Sequence, residues 1–102
     1  MASPHSPASA TFGARIRDAR LRLGLSQIQV WQISGIHFTN IGKIERGEAN
    51  PALHTIIRLA DAVQVDPGEL ITGLTAADLP EDDRARVLPE NVREEAIRRR
   101  GH

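Results

Sequence analysis

The stretch from Leu25 to Gly47, LSQIQVWQISGIHFTNIGKIERG, decides the fold. Ser26 opens it as a helix N-cap, and Gln29, three residues later, completes a capping box that satisfies two otherwise orphaned backbone N–H groups. Gly35 interrupts this helix where a tight turn fits. A second helix spans residues 37–46, with Ile41 and Ile44 facing inward beside Ile36, and Gly47 ends it. Two short helices joined by a glycine-containing turn form a helix-turn-helix unit. In such a unit the first helix packs across the second and holds it rigidly, so the outward side chains of the second are presented as a group.

The flanking sequence supplies the rest of a bundle. Phe12, Ile16, Ala19 and Leu23 recur at helical spacing, which predicts a helix over residues 12–23 that Gly24 stops. After the Asn50-Pro51 punctuation, Leu53, Ile56, Ile57, Ala60 and Val63 form an inward stripe on a fourth helix. Asp66-Pro67-Gly68-Glu69 reads as another helix start, with a cap, Pro at the first position and an acid at the third. Leu70 and Ile71 then close the core. Five short helices without a strand pattern give an all-α bundle over residues 11–73. Residues 1–10, MASPHSPASA, are small, polar and Pro-containing and read as a disordered arm. Residues 74–102 form a charged tail, broken at Pro80 and Pro89, with an acidic run at Glu81-Asp82-Asp83. A short helix fits residues 90–100, where Glu94/Arg98 and Glu95/Arg99 sit four residues apart. Eleven residues fall short of the ~12–15 that an isolated helix needs, so this tail calls for a partner surface.

A chain of 102 residues supports one compact core. The absence of cysteine excludes a disulfide framework, a thiolate metal site and a cysteine nucleophile. His5, His37, His54 and His102 lack metal-ligand spacing, so no metal is expected. His37 reads as a weak N-cap or a surface residue. No nucleophile–base pattern and no phosphate-cradling glycine loop is present, so neither an enzyme nor a cofactor is expected. Residues 1–10 lack the basic and apolar regions of a secretory signal, and no apolar run approaches the ~20 residues of a membrane span. A cytoplasmic protein without membrane contact is expected. Net charge is zero. Arg15, Arg17, Arg20 and Arg22 crowd one segment and Lys43 and Arg46 another. Residues 11–73 carry seven basic and six acidic side chains. Any surface for a polyanion must therefore be a local patch.

Arg20, Gly24-Leu25-Ser26-Gln27, Gly35, Ile41, Ile44-Glu45-Arg46-Gly47, Asn50-Pro51, Leu59-Ala60 and Glu69-Leu70 together resemble the Cro- and phage-repressor-like helix-turn-helix regulators, also called the xenobiotic response element family. The resemblance covers residues 12–73. It implies a compact lambda-repressor-like five-helix domain with its third helix in the major groove of double-stranded DNA. By position it assigns Phe38, Thr39 and Lys43 to base edges, and Asn40 is close enough to join them. It assigns Gln27, Arg46 and Asn50 to backbone phosphates, and Arg17 is added from the arginine-rich first helix. It matches Arg20 and Glu45 to an interior ion pair between helices 1 and 3. The side-chain chemistry agrees in part. Asparagine pairs bidentately with adenine, lysine donates to guanine or phosphate, and the Phe38 ring packs on a thymine methyl.

The implied function is a sequence-specific transcriptional regulator, a repressor in the commoner case, that reads a near-palindromic operator as a homodimer. Dimer contacts are expected from Leu70, Ile71 and Leu74, with Val92, Ala96 and Ile97 as further candidates. A phage-type or metabolic repressor, a restriction–modification controller and an antitoxin share this plan, and a toxin-binding extension would suit the tail at 74–102. The alternative is a protein-interaction module on the same fold.

Several positions depart from the family pattern. Trp31 stands where the family has alanine, at the crossing of helices 2 and 3, and Ile28 and Ile33 replace polar residues. A locally rearranged core around the indole is the expected consequence, with an exposed apolar patch as the alternative. Ala52 and His37 replace capping serines.

Overall fold

The computed structural model describes residues 3–80 and 89–100. Five helices build its body: α1 (Pro7–Arg22), α2 (Gln27–Ser34), α3 (Phe38–Glu45), α4 (Leu53–Ala62) and α5 (Pro67–Ile71). A single 3₁₀ turn, Ala76–Asp78, and a sixth helix, α6 (Pro89–Arg100), follow. No strand occurs among the described residues, and no described helix is long and apolar enough to cross a membrane. The acidic run at residues 81–83 lies outside the described residues.

The first helix begins five residues earlier than its apolar spacing predicts. The Ser6 hydroxyl accepts from the Ser9 N–H at 3.0 Å, and Pro7 takes the first helical position. Residues 7–10 therefore belong to α1, which corrects the reading of 1–10 as a disordered arm. Ser6 and Ser9 are buried, and the His5 N–H donates to the Gly47 carbonyl at 2.6 Å, which fastens this segment to the end of α3. The Ser-Pro cap gives the same signal as the later helix starts, but the small residues behind it carry no apolar period that would extend the helix back to it.

The core is formed by Phe12, Ile16 and Ala19 of α1, Val30 of α2, Ile36, Ile41 and Ile44, Leu59, Ala60, Ala62 and Val63, and Leu70. α1 packs on α3 and α5, α2 on α3 and α4, and α4 on α5. The α1–α3 approach is close enough that a Cβ added to Gly13 would stand 2.1 Å from the Ile44 carbonyl oxygen. On α4 the expected stripe is turned. Leu53 is 67% and Ile57 47% exposed, while Leu59, Ala60 and Val63 are buried. Ile71 faces solvent although Leu70 is buried. Asp66 holds the N-cap position of α5 without a side-chain cap bond, and Ala52 likewise leaves α4 uncapped. Arg15 binds the far end of α5, with its guanidinium donating to the carbonyl oxygens of Thr72 at 2.7 Å and Leu70 at 3.3 Å.

Candidate nucleic-acid interface

The capping box of α2 forms as its sequence dictates. The Gln29 N–H donates to the Ser26 hydroxyl at 3.0 Å, and the Ser26 N–H donates to the Gln29 side-chain oxygen at 2.8 Å. Gly35 then reverses the chain with φ of 78°, in the left-handed region where a side chain is penalised. α3 opens at His37, whose Nδ1 accepts from the Thr39 N–H at 3.2 Å.

One side of α3 is anchored. Ile41 and Ile44 are buried, and so is Glu45. The Glu45 carboxylate receives two parallel bonds from Arg20, Nε to Oε2 at 2.6 Å and Nη2 to Oε1 at 2.9 Å. The remaining Arg20 nitrogen donates to the Leu25 carbonyl at 2.8 Å. A bidentate, nearly solvent-free pair of this kind fixes angle as well as distance. The hydrogen bond to Glu45 raises the Arg20 guanidinium above its ordinary pKa, against the opposing effect of burial. Gln27 joins the pair by donating to Glu45 Oε1 at 3.1 Å. α1, α2 and α3 are thus tied at one carboxylate.

The other side of α3 is bare: Phe38, Thr39, Asn40, Lys43 and Arg46 are all exposed. Asn40 and Lys43 line one shallow groove with Pro51 and Thr55. The side chains of Gln27 and Arg46 converge over Gly42, a residue with no side chain to separate them. Asn50 is set apart from this group, being exposed in the α3–α4 loop and lining a different cleft with Phe12, Ile71 and Leu74. The Arg17 side chain is exposed on α1 and forms no hydrogen bond or ion pair among the described residues.

Two features escape the sequence reading. Arg46 is paired with Glu48 two residues on, which ties up part of its guanidinium. Arg15 is occupied with the end of α5. Trp31 does not enter the core, which overturns the expected repacking in favour of the exposed alternative. Val30 fills the interior, and the indole, 37% exposed, lies beside His37 and Phe38. The ring centroids are 4.9 Å apart for Trp31–His37, 5.5 Å for Trp31–Phe38 and 4.4 Å for His37–Phe38. No helical period connects residues on opposite sides of the turn. The only signal in the sequence is that three aromatic rings flank one glycine.

A short helix braced through its buried carboxylate and presenting polar and cationic side chains on the opposite side defines a helix-turn-helix reading module. Residues 16–70 match the helix-turn-helix family, and the chain belongs to it, in its Cro- and phage-repressor-like form, whose members are non-enzymatic DNA-binding regulators of transcription. The chain is 44% identical over 57 residues to the control protein C.SmaI of Serratia marcescens, covering 56% of this chain and 68% of that one. Its fold is similar to that of the restriction-modification controller protein C.AhdI from Aeromonas hydrophila, with TM-score 0.59 and 39% identity over 61% of this chain and 94% of that one. It is also similar to the P22 c2 repressor, solved in complex with a synthetic operator, with TM-score 0.57 and 30% identity over 62% of this chain and 96% of the other.

Proposed function

We propose that this regulator acts as a repressor-type controller that occupies a near-palindromic operator as a homodimer, with α3 in the major groove. The observation that carries the reading is the division of α3 between a bolted inner side, Ile41, Ile44 and Glu45, and an exposed outer side, Phe38, Thr39, Asn40 and Lys43. Those four side chains are assigned to base edges. Gln27, Arg46, Asn50 and Arg17 are assigned to phosphates. The likeness to the control protein C.SmaI and the restriction-modification controller protein C.AhdI favours the restriction–modification controller among the subclasses.

One domain spans only a few base pairs, so two copies reading half-sites about 34–36 Å apart give the operator its symmetry. The dimer surface is assigned to Ile71 and Leu74. Leu70, the third candidate, is buried in the core and unavailable. α6, with Val92 and Ile97 exposed, is assigned to a protein partner or to the second copy.

The test is selection of fragments bound by the full chain from a pool of random duplex DNA, followed by measurement of the affinity and mass of the complex. An enriched inverted repeat bound by two chains is the expected result. The exposed apolar side chains of α2, Ile28 at 51% and Ile33 at 57%, favour the protein-interaction module as the second reading. Enrichment of no fragment at low salt would decide for it.

A further inference from the structure

We propose that Trp31, on α2 and outside the base-facing side of α3, is a positioning residue that fixes the Phe38 ring as a rigid apolar contact for the 5-methyl group of a pyrimidine. The inference rests on the assignment of Phe38 to the base-facing surface and adds what holds it there and what it selects.

Phe38 is the first residue of α3 and has 38% of its surface exposed. A ring in that position on an unsupported helix end has several rotamers to choose from, and fixing one costs conformational entropy at each binding event. Here the choice is already restricted. Trp31 lies 5.5 Å away at an interplanar angle of 53°, and His37 lies 4.4 Å away. The Trp31 separation falls within the range of favourable aromatic pairing, and the His37 ring sits just below its short edge, in direct contact. His37 is itself held by its Nδ1 bond to the Thr39 N–H and by the Trp31 ring 4.9 Å away. The three rings form one cluster that spans the turn and leaves part of Phe38 open to solvent.

A phenyl ring has no hydrogen-bonding atom, so it distinguishes bases only by apolar contact. In the major groove that means the methyl on C5 of thymine. The same methyl in the same place is carried by 5-methylcytosine. The shared chemistry is therefore a 5-methylpyrimidine, and the two sources are separable by experiment.

The probe is the duplex most enriched in the random-pool selection, with each thymine replaced in turn by deoxyuridine and each cytosine by 5-methylcytosine. Burial of one methyl group corresponds to about a fourfold change in affinity per half-site. One thymine position per half-site, or one cytosine gaining from methylation, is expected to show it for the wild-type chain. Phe38→Ala is expected to abolish the ratio. Trp31→Ala is expected to bring it below about 1.5-fold, and Trp31→Phe to restore it. Ile33→Ala, on the same helix but outside the cluster, is expected to leave the ratio as in wild type. If Trp31→Ala fails to fold by circular dichroism, Trp31→Leu, which keeps apolar bulk without a ring, carries the same expectation.

A wild-type ratio near one at every position, or a Trp31→Ala or Trp31→Leu variant that folds and keeps the full ratio, overturns the inference while leaving DNA reading by α3 intact. Absence of any enriched duplex overturns both.

Discussion

At the scale of single residues, the Glu45 carboxylate has the largest structural duty, because side chains from two other elements, Arg20 of α1 and Gln27 of α2, both bond to it. Removing one partner of a buried pair strands the other charge, at a cost of about 3–5 kcal/mol. Glu45→Ala is expected to lose stability of that order, read as a lower melting temperature, and to weaken DNA binding through a loosened α3. An unchanged melting temperature would mean that Arg20 finds water instead. Arg20 has a higher pKa in the folded chain than in the unfolded one. Its contribution is therefore complete below the ordinary arginine range and is lost only as pH rises through the raised value. Melts in neutral and mildly alkaline buffer are expected to show no loss from this group. Glu48 acts in the opposite sense. It pairs with Arg46 on a surface where ion pairs are weak and screened, and so competes with a phosphate for the same guanidinium. Glu48→Gln is expected to tighten binding to arbitrary duplex DNA a few-fold at low salt, to steepen its salt dependence by up to about one unit per protomer, and to leave the fold unchanged. A binding isotherm identical to wild type would show that Arg46 does not touch the backbone.

At the scale of elements, α1 and α3 meet so closely that one methyl group decides the contact. Gly13 faces the carbonyls of Ile44 and Glu45, and backbone cannot rotate away as a side chain can. Gly13→Ala is expected to destabilise by about 1–3 kcal/mol from overpacking, at the upper end because the neighbours are main chain, although alanine favours helix over glycine by up to about 1 kcal/mol. Chemical denaturation measures the net; a stabilised variant would mean that α3 moves outward freely. The same element scale shows why some of the fold is legible in the sequence and some is not. α2 and α3 are written in local signs, Ser26 with Gln29, Gly35 and Gly47, each acting within a few residues of itself. α4 is apolar at Leu53, Ile56, Ile57, Leu59, Ala60, Ala62 and Val63, so more than one face satisfies a helical period. Packing against α2 and α5 selects the face, and it buries Leu59 and Val63 rather than Leu53 and Ile57. The start of α1 is hidden for the converse reason, since Ala8, Ser9 and Ala10 carry too little apolar contrast. In the site, Arg20 and Glu45 are recognisable only from the family pattern, because a separation of 25 positions gives no periodic cue. The ring cluster depends on the geometry of the turn, which no window of sequence encodes.

At the scale of the whole molecule, electrostatics is spare, and that makes it countable. The chain is neutral, so attraction to DNA comes from a few side chains rather than from a general field. Arg17 and Arg46 are the cations assigned to phosphates in each copy. Each phosphate neutralised changes the logarithmic slope of affinity against salt by about −0.9, so a dimer engaging both per protomer has a slope of about −3.6 and a single domain one of about −1.8. Between about 50 and 200 mM salt the dimer then loses roughly a hundredfold in affinity and the monomer roughly tenfold. Fluorescence anisotropy on the selected duplex and on its isolated half-site measures both slopes with one protein preparation. A steep slope on the full site and about half that on the half-site is the expected pair. Equal slopes on the two duplexes would mean that a single copy does all the reading, and that Ile71, Leu74 and α6 face something other than a second copy of this chain.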